Sequence, residues 1–413
     1  MANSVVECMS QHAKENPSKL CLADARQSLD YKTAWECVQG CADLLLSWGC
    51  SKGDYVLVEC TQNVDYMIWM LASHLAGVIA VPLEKNSAEA RVAEIAEETG
   101  AQIRVGRVAL DGLGLTHYAS KLATQHDVEA DFHGWAFPES EDVAEILFST
   151  GTTGKSKGIV ITHRNNMAIA ENVITGLGIK PNNVEIVPMP LSHSHGLRRT
   201  YANLVNGSSA VIAEGVLALK KLFQLMDAHK VTAMDLSPSM LSIIFKLSKE
   251  RLGEYADMLD YVQLGSAPLP EEDKAHLKRL LPETRLYNFY GSTEAGCSCL
   301  LEFGRSPDKV GCIGKPCVNA QFIVVDDQRR PIRSSAENLG LLANSGAINM
   351  RCYFNAPELT AETMQDGFIY TKDLGYIDEE GFVYMLGRKD DVINFGGVKI
   401  APEEIETAVA KAR

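Results

Sequence analysis

Apolar residues at positions 38, 42, 45 and 46 share one face of a 3.6-residue period between Ala34 and Trp48, which predicts an amphipathic helix. The turn Ser51-Lys52-Gly53-Asp54 follows, and Tyr55–Glu59 reads as a strand. The most apolar stretch runs from Met67 to Leu83, carries His74 and reaches Pro82 near its end. It is short of a membrane span and predicts a buried helix, a break at Gly77 and a strand over Val78–Pro82. The same rhythm recurs as a strand at Ala144–Phe148, a strand at Ala210–Ala213, a helix at Leu217–His229 and a strand at Tyr261–Gly265. Alternation of this kind argues for an α/β sheet.

From about residue 300 the pattern shifts. Short strands such as Gln321–Val325 are separated by turn residues, including Asp326–Pro331 and Asp378–Gly381. This predicts a β-rich, barrel-like subdomain over about 300–386, following two α/β subdomains. The charged cluster Gly387-Arg388-Lys389-Asp390-Asp391 reads as a boundary. A strand-turn over Val392–Ile400 and the start of a helix at Pro402–Ala412 follow. No internal repeat or low-complexity tract interrupts the chain.

The bulk numbers narrow the function. The chain has 413 residues, 46% hydrophobic and 22% charged, ordinary for a globular protein with room for more than one domain. Thirty-nine basic against 53 acidic residues give a net charge of −14, which argues against a general nucleic-acid surface. The 11 cysteines include no Cys-x-x-Cys pair, and Cys297-x-Cys299 is too tight for a usual zinc knuckle. Scattered, odd in number and without a signal-peptide pattern ahead of them, they read as reduced thiols in a cytoplasmic protein.

Four polar segments carry candidate chemistry. Ser149-Thr150-Gly151-Thr152-Thr153-Gly154-Lys155-Ser156-Lys157-Gly158 follows a strand, where ligands gather in α/β sheets, and its small residues suit a backbone concavity for an anion. It is not a P-loop: Gly151 precedes Gly154-Lys155-Ser156 by too few residues. Tyr287-Asn288-Phe289-Tyr290-Gly291-Ser292-Thr293-Glu294 offers aromatics for a base, a hydroxyl for a phosphate and a carboxylate for Mg²⁺. The alternative is a helix capped by Ser292 or Thr293 with Glu294 in its first turn. Tyr370–Tyr376 presents Asp373, either a ribose ligand or a turn residue. Gly387–Asp391 is the fourth, either functional or a solvated linker.

Together the segments resemble one family, the AMP-forming acyl and aryl acid–CoA ligases, over nearly the whole chain. The first matches that family's phosphate loop and Tyr290-Gly291-Ser292-Thr293-Glu294 its Tyr-Gly-x-Thr-Glu motif. Asn355–Thr360 with Asp373 match the segment leading to the ribose site, and Gly387–Ile393 the hinge motif. The resemblance implies the large N-terminal domain of adenylate-forming enzymes over 1–386, then a hinge at Asp390 and the start of a smaller C-terminal domain over 387–413. It implies ATP and Mg²⁺ as cofactors, a carboxylic acid substrate and coenzyme A as thiol acceptor. Ser149 to Gly154 and Lys157 would embrace the β- and γ-phosphates. Thr293 would donate to the α-phosphate, Glu294 would hold Mg²⁺, and Asp373 with Arg388 would hold the ribose. Gly265, Ser266, Ala267, Asn288, Phe289 and Tyr290 would line the adenine.

Pro190–Leu197 resembles the acyl-pocket segment, with His193, His195, Gly196 and Gly291 as substrate contacts and His193 also as a catalytic candidate; packed core histidines are the alternative. Arg198-Arg199 stand where the family is usually apolar. They begin a surface helix, or one of them faces the acyl pocket and reads a second anionic group. Ser156 replaces a usual Pro and Lys372 a usual Gly. The family's smaller domain, roughly 100 residues long, supplies a lysine for adenylation, and Lys399 and Lys411 lie too near the hinge to match it. Slow adenylation by this chain is therefore expected. An enzyme loading an acyl carrier protein and a non-catalytic nucleotide-binding module are the alternative functions.

Overall fold

The computed structural model describes residues 2–106, 117–119, 135–150, 156–389, 391, 393–395 and 398–400. Among these residues, fourteen strands form one sheet and seven form another, and the hairpin Ile393–Phe395/Val398–Ile400 stands apart.

The large sheet has two halves. Its parallel half runs, in spatial order, through Leu20–Ala23, Ser209–Ile212, Val184–Val187, Ala233–Leu236, Tyr261–Leu264 and Arg285–Ser292. The strands Ser209–Ile212, Ala233–Leu236 and Tyr261–Leu264 are buried at every position. Parallel sheets covered on both faces read as continuous apolar runs for this reason. The antiparallel half begins where Arg285–Ser292 turns back on Gly296–Glu302 and continues through Cys312–Pro316, Val383–Arg388, Phe368–Ile377, Gly340–Ser345 and Gln321–Val325. This second half is the turn-rich region expected from the change of pattern near residue 300.

The smaller sheet orders Cys352–Tyr353, Ser156–Thr162, Val143–Thr150, Ile79–Leu83, Tyr55–Glu59, Ile103–Val105 and His117–Ala119. The predicted elements that fall on described residues lie within a few residues of the observed ones, and the helix start expected at Pro402–Ala412 lies outside the described residues. The first amphipathic helix is Tyr31–Ser47, longer at its start because the Asp30 carboxylate caps the Thr33 amide at 2.7 Å. The apolar stretch is the helix Val64–Leu75, buried at every position but Asp65, then Gly77 at φ +71° and the strand Ile79–Leu83. No helix among the described residues is long and apolar enough to cross a membrane, and none of the 11 cysteines is in a disulfide.

His74 on that buried helix meets a charge. Its Nε2 lies 3.0 Å from Glu145 Oε2, with both side chains fully buried, and Asn166 Nδ2 donates to the same carboxylate at 2.9 and 3.1 Å. A buried carboxylate needs such partners. The cluster fixes the strand Val143–Thr150, which leads into the glycine-rich loop. Beyond the loop, Thr162 and Asn165 form a reciprocal cap that starts the helix His163–Leu177.

Candidate active site

Two parallel strands of the large sheet, Tyr261–Leu264 and Arg285–Ser292, end at one cavity of about 240 Å³. The helix Ser194–Asn206, hereafter the pocket helix, closes it from one side. Ligands bind where α/β strands end because backbone groups and loops are free there. Ile169, Val173, Phe289 and Cys297 supply apolar wall; His193, His195, Arg198 and Arg199 supply nitrogen. Gly291, Ser292 and Thr293 line the side made by the hairpin.

That hairpin replaces the helix cap considered for Ser292–Glu294. Arg285–Ser292 pairs antiparallel with Gly296–Glu302, with Ser292 opposite Gly296, so Thr293, Glu294 and Ala295 form its tip. The sequence Gly-Ser-Thr-Glu satisfies a cap pattern, but pairing over eight residues of the incoming strand outweighs it. Gly291 permits the turn: a Cβ there would lie 1.8 Å from the Gly296 carbonyl oxygen.

The tip is tied to the glycine-rich loop. Tyr353 Oη donates to Glu294 Oε1 at 2.8 Å, and Lys157 Nζ sits 5.6 Å from the centre of the Tyr353 ring. Burial and then the Glu294 carboxylate push the Tyr353 hydroxyl far above its ordinary range. It therefore remains a donor at any working pH. The strands that flank the loop pair with each other. Ser149 pairs with Lys157 and Thr150 with Ser156. Gly151, Thr152, Thr153 and Gly154 lie outside the described residues, as does Asp390.

On the antiparallel half, Asp373 faces Arg388 in register across neighbouring strands, with Nε–Oδ1 at 3.9 Å. The Tyr290 hydroxyl donates to Asp373 Oδ2. Burial and the Asp373 carboxylate raise Tyr290 well above its usual value. Tyr290 and Asp373 lie far apart in the chain yet form one polar pair.

The pocket-helix histidines part company. His195 is held at both ring nitrogens, Nε2 to Asp235 Oδ1 at 2.8 Å and Nδ1 to Ser266 Oγ at 2.7 Å. A carboxylate only accepts, so Nε2 carries a proton and donates. Phe289 meets the same ring edge-on at 4.6 Å between centres. Ser266 has φ +74°, a left-handed conformation that a non-glycine residue adopts at a cost. Gly265 beside it has no room for a side chain, because a Cβ would lie 1.9 Å from the Phe289 ring. His193 is 58% exposed and approaches Glu84 Oε1 only at 3.8 Å, so it is neither a packed core residue nor tightly held. Gly196 lets the helix start against the carbonyls of Met189 and Pro190, 2.7 and 2.6 Å from where its Cβ would be. Asn288 is buried on the same strand as Phe289, whereas Ala267 is exposed just beyond Ser266.

Arg198 and Arg199 do not begin a surface helix; they are 4% and 2% exposed. Arg199 donates to Glu185 at 2.6, 2.8 and 2.9 Å and also to Gln263 Oε1. Burial would lower its guanidinium, but the Glu185 carboxylate more than reverses this and holds it above its ordinary value. Among the described residues Arg198 makes one hydrogen bond, from Nη2 to the Thr293 carbonyl at 3.0 Å.

Sequence reasoning missed Tyr353, Asp235, Gln263 and Glu185. Tyr353 stands two residues before the Asn355–Thr360 motif. The other three sit in apolar strand runs, where a lone polar residue was the available signal: Asp235 pairs with Gln263 in register, so one face of the sheet carries a polar row.

A family model, AMP-binding enzyme, matches residues 9–354. The chain belongs to the AMP-binding enzyme family and is an enzyme of the AMP-forming acid–thiol ligase class. It is 27% identical to a 2-succinylbenzoate–CoA ligase of Geobacillus sp. (strain WCH70), over 99% of this chain and 82% of that protein. The O-succinylbenzoate coenzyme A synthetase of Bacillus subtilis, solved with ATP and magnesium ion, superposes with a TM-score of 0.86 at 23% identity, over 98% of this chain and 84% of that one. The N-terminal domain of FACL13 from Mycobacterium tuberculosis gives a TM-score of 0.79 at 21% identity, over 93% of this chain and 99% of that one.

Proposed function

We propose that the chain uses ATP to convert a carboxylic acid into an acyl-adenylate, releasing pyrophosphate, and that the acyl group then passes to the thiol of coenzyme A. The observation that carries this reading is the link from Lys157 through Tyr353 to Glu294 at the hairpin tip, with Thr293 at the cavity edge. It joins the glycine-rich loop to the wall of the one pocket described here.

The acid is already a nucleophile. Its carboxylate oxygen attacks the α-phosphorus and the bond to the pyrophosphate oxygen breaks. The protein's work is to align the reactants and offset charge. In this reading Lys157 and the loop residues hold the β- and γ-phosphates, and the Thr293 hydroxyl donates to the α-phosphate. Glu294, a single half-buried carboxylate, fits Mg²⁺, which takes one or two carboxylates together with phosphate oxygens. Bound there, the ion would neutralise charge on the departing pyrophosphate. Asp373 and Arg388 hold the ribose; Gly265, Ser266, Ala267, Asn288, Phe289 and Tyr290 surround the adenine. His193, His195, Gly196 and Gly291 shape the acyl side. Rotation about Asp390 between the two half-reactions belongs to the same proposal, as does the division into 1–386 and 387–413.

Native mass spectrometry tests it directly. After incubation with Mg-ATP and a panel of acids, a retained mass of one acid plus AMP is expected. Failure to retain any nucleotide would sink the reading. Asp373→Ala should weaken ATP binding by about tenfold or more, as two charge-assisted hydrogen bonds are lost; unchanged ATP affinity in calorimetry would remove Asp373 from the ribose site. Offering coenzyme A and a phosphopantetheinylated carrier protein side by side decides the acceptor.

A further inference from the structure

The pocket helix places two buried guanidinium groups side by side, and among the described residues only one has a counter-charge. Arg199 is saturated by Glu185 and Gln263. Arg198, which also lines the cavity, donates once, to the Thr293 carbonyl. Its Nε and Nη1 have no hydrogen-bond partner among the described residues, and no described carboxylate lies within ion-pair distance. Glu145 and Glu294 attract it without touching it, and burial pulls it down to about 10. It is therefore still a cation at neutral pH. A guanidinium has five N–H donors in a planar fork, matched by a carboxylate. A buried charge without a partner is costly, and a protein keeps one where a ligand completes it.

We propose that Arg198 binds a second anionic group on the acid, so that the substrate of this enzyme is a short dicarboxylate. The proposal rests on the acid-activating reading above. A small rotation of the guanidinium would turn Nη1, now packed beside Gly296, toward the distal carboxylate, while Nη2 remains anchored to the hairpin that carries Thr293. The cavity of about 240 Å³ has room for a short chain between the two carboxylates. The carboxylate that is adenylated loses its charge in the reaction, so it cannot be the lasting partner of the guanidinium; the distal one can.

The test uses matched ligands on the unaltered chain. Succinate, glutarate and adipate are each compared with the monoamide of the same length and with the corresponding monoacid. Dissociation constants are measured by calorimetry with Mg²⁺ and the α,β-methylene analogue of ATP present. One diacid is expected to bind about tenfold to a hundredfold tighter than its monoamide, the difference made by a charge-assisted hydrogen bond. Arg198→Met should erase that difference while leaving nucleotide affinity in place, and Arg198→Lys should restore part of it. If the Met variant does not fold, the amide comparison on the unaltered chain decides alone. Equal affinity for diacid, monoamide and monoacid with nucleotide bound overturns the proposal and leaves the acid-activating reading intact. So does a failure of every diacid to bind. Loss of nucleotide binding itself overturns both.

Discussion

The two arginines of the pocket helix teach opposite lessons from adjacent positions. On one face His195 and Arg199, four positions apart and so stacked on the helix, meet Asp235, Glu185 and Gln263 from the parallel strands. Every charge there has a partner within the protein, and Asn203 Nδ2 adds a further donor to Glu185 at 2.5 Å. Arg198 lines the same cavity from the neighbouring position, yet its one hydrogen bond among the described residues goes to a carbonyl of the hairpin tip. Equal burial therefore says nothing about role; the partner count does. Arg199 with Glu185 is scaffold. Arg198 is where a ligand's own charge is needed.

The comparison breaks most sharply at Arg199. Arg199→Met leaves Glu185 charged, buried and uncompensated, and should cost about 3–5 kcal/mol of stability in urea unfolding. A loss under about 1 kcal/mol would mean that the ion pair is not what holds this face. Combining Arg199→Met with Glu185→Leu should recover most of that loss, because apolar replacement of a whole buried pair is often neutral or better. Additive destabilisation by the two changes would contradict the pairing.

Arg198→Met should leave stability within about 1 kcal/mol of the parent, or raise it, since it removes an unpaired buried charge. A loss as large as that of Arg199→Met would make Arg198 scaffold as well. The smallest effect is expected at Ser266. Ser266→Ala deletes one neutral hydrogen bond to His195 and should cost about 0.5–1.5 kcal/mol in the same unfolding assay.

Much of this was legible in the chain. The helix Tyr31–Ser47 and the strands Tyr55–Glu59 and Tyr261–Leu264 follow from hydrophobic period and turn residues alone. The Ser292–Glu294 segment was ambiguous because its cap pattern is local and its strand partner, Gly296–Glu302, is only identified once the pairing is formed. Arg198 and Arg199 read as surface or site with no way to divide them. Burial of a charge depends on whether a counter-charge arrives from elsewhere, and Glu185 arrives from a strand 14 residues upstream.

The sequence by itself determined the α/β alternation, the positions of the glycine-rich and Tyr-Gly-Ser-Thr-Glu motifs, and the family they resemble. These are local properties, set by residue period, turn chemistry and short spacing. The tertiary structure alone decided that Tyr353 bridges Lys157 and Glu294, that Tyr290 reaches Asp373 across 83 positions, and that one arginine of a pair is satisfied while its neighbour is not. Hydrogen bonds and desolvation act over a few ångströms of space, and separation along the chain does not report that distance.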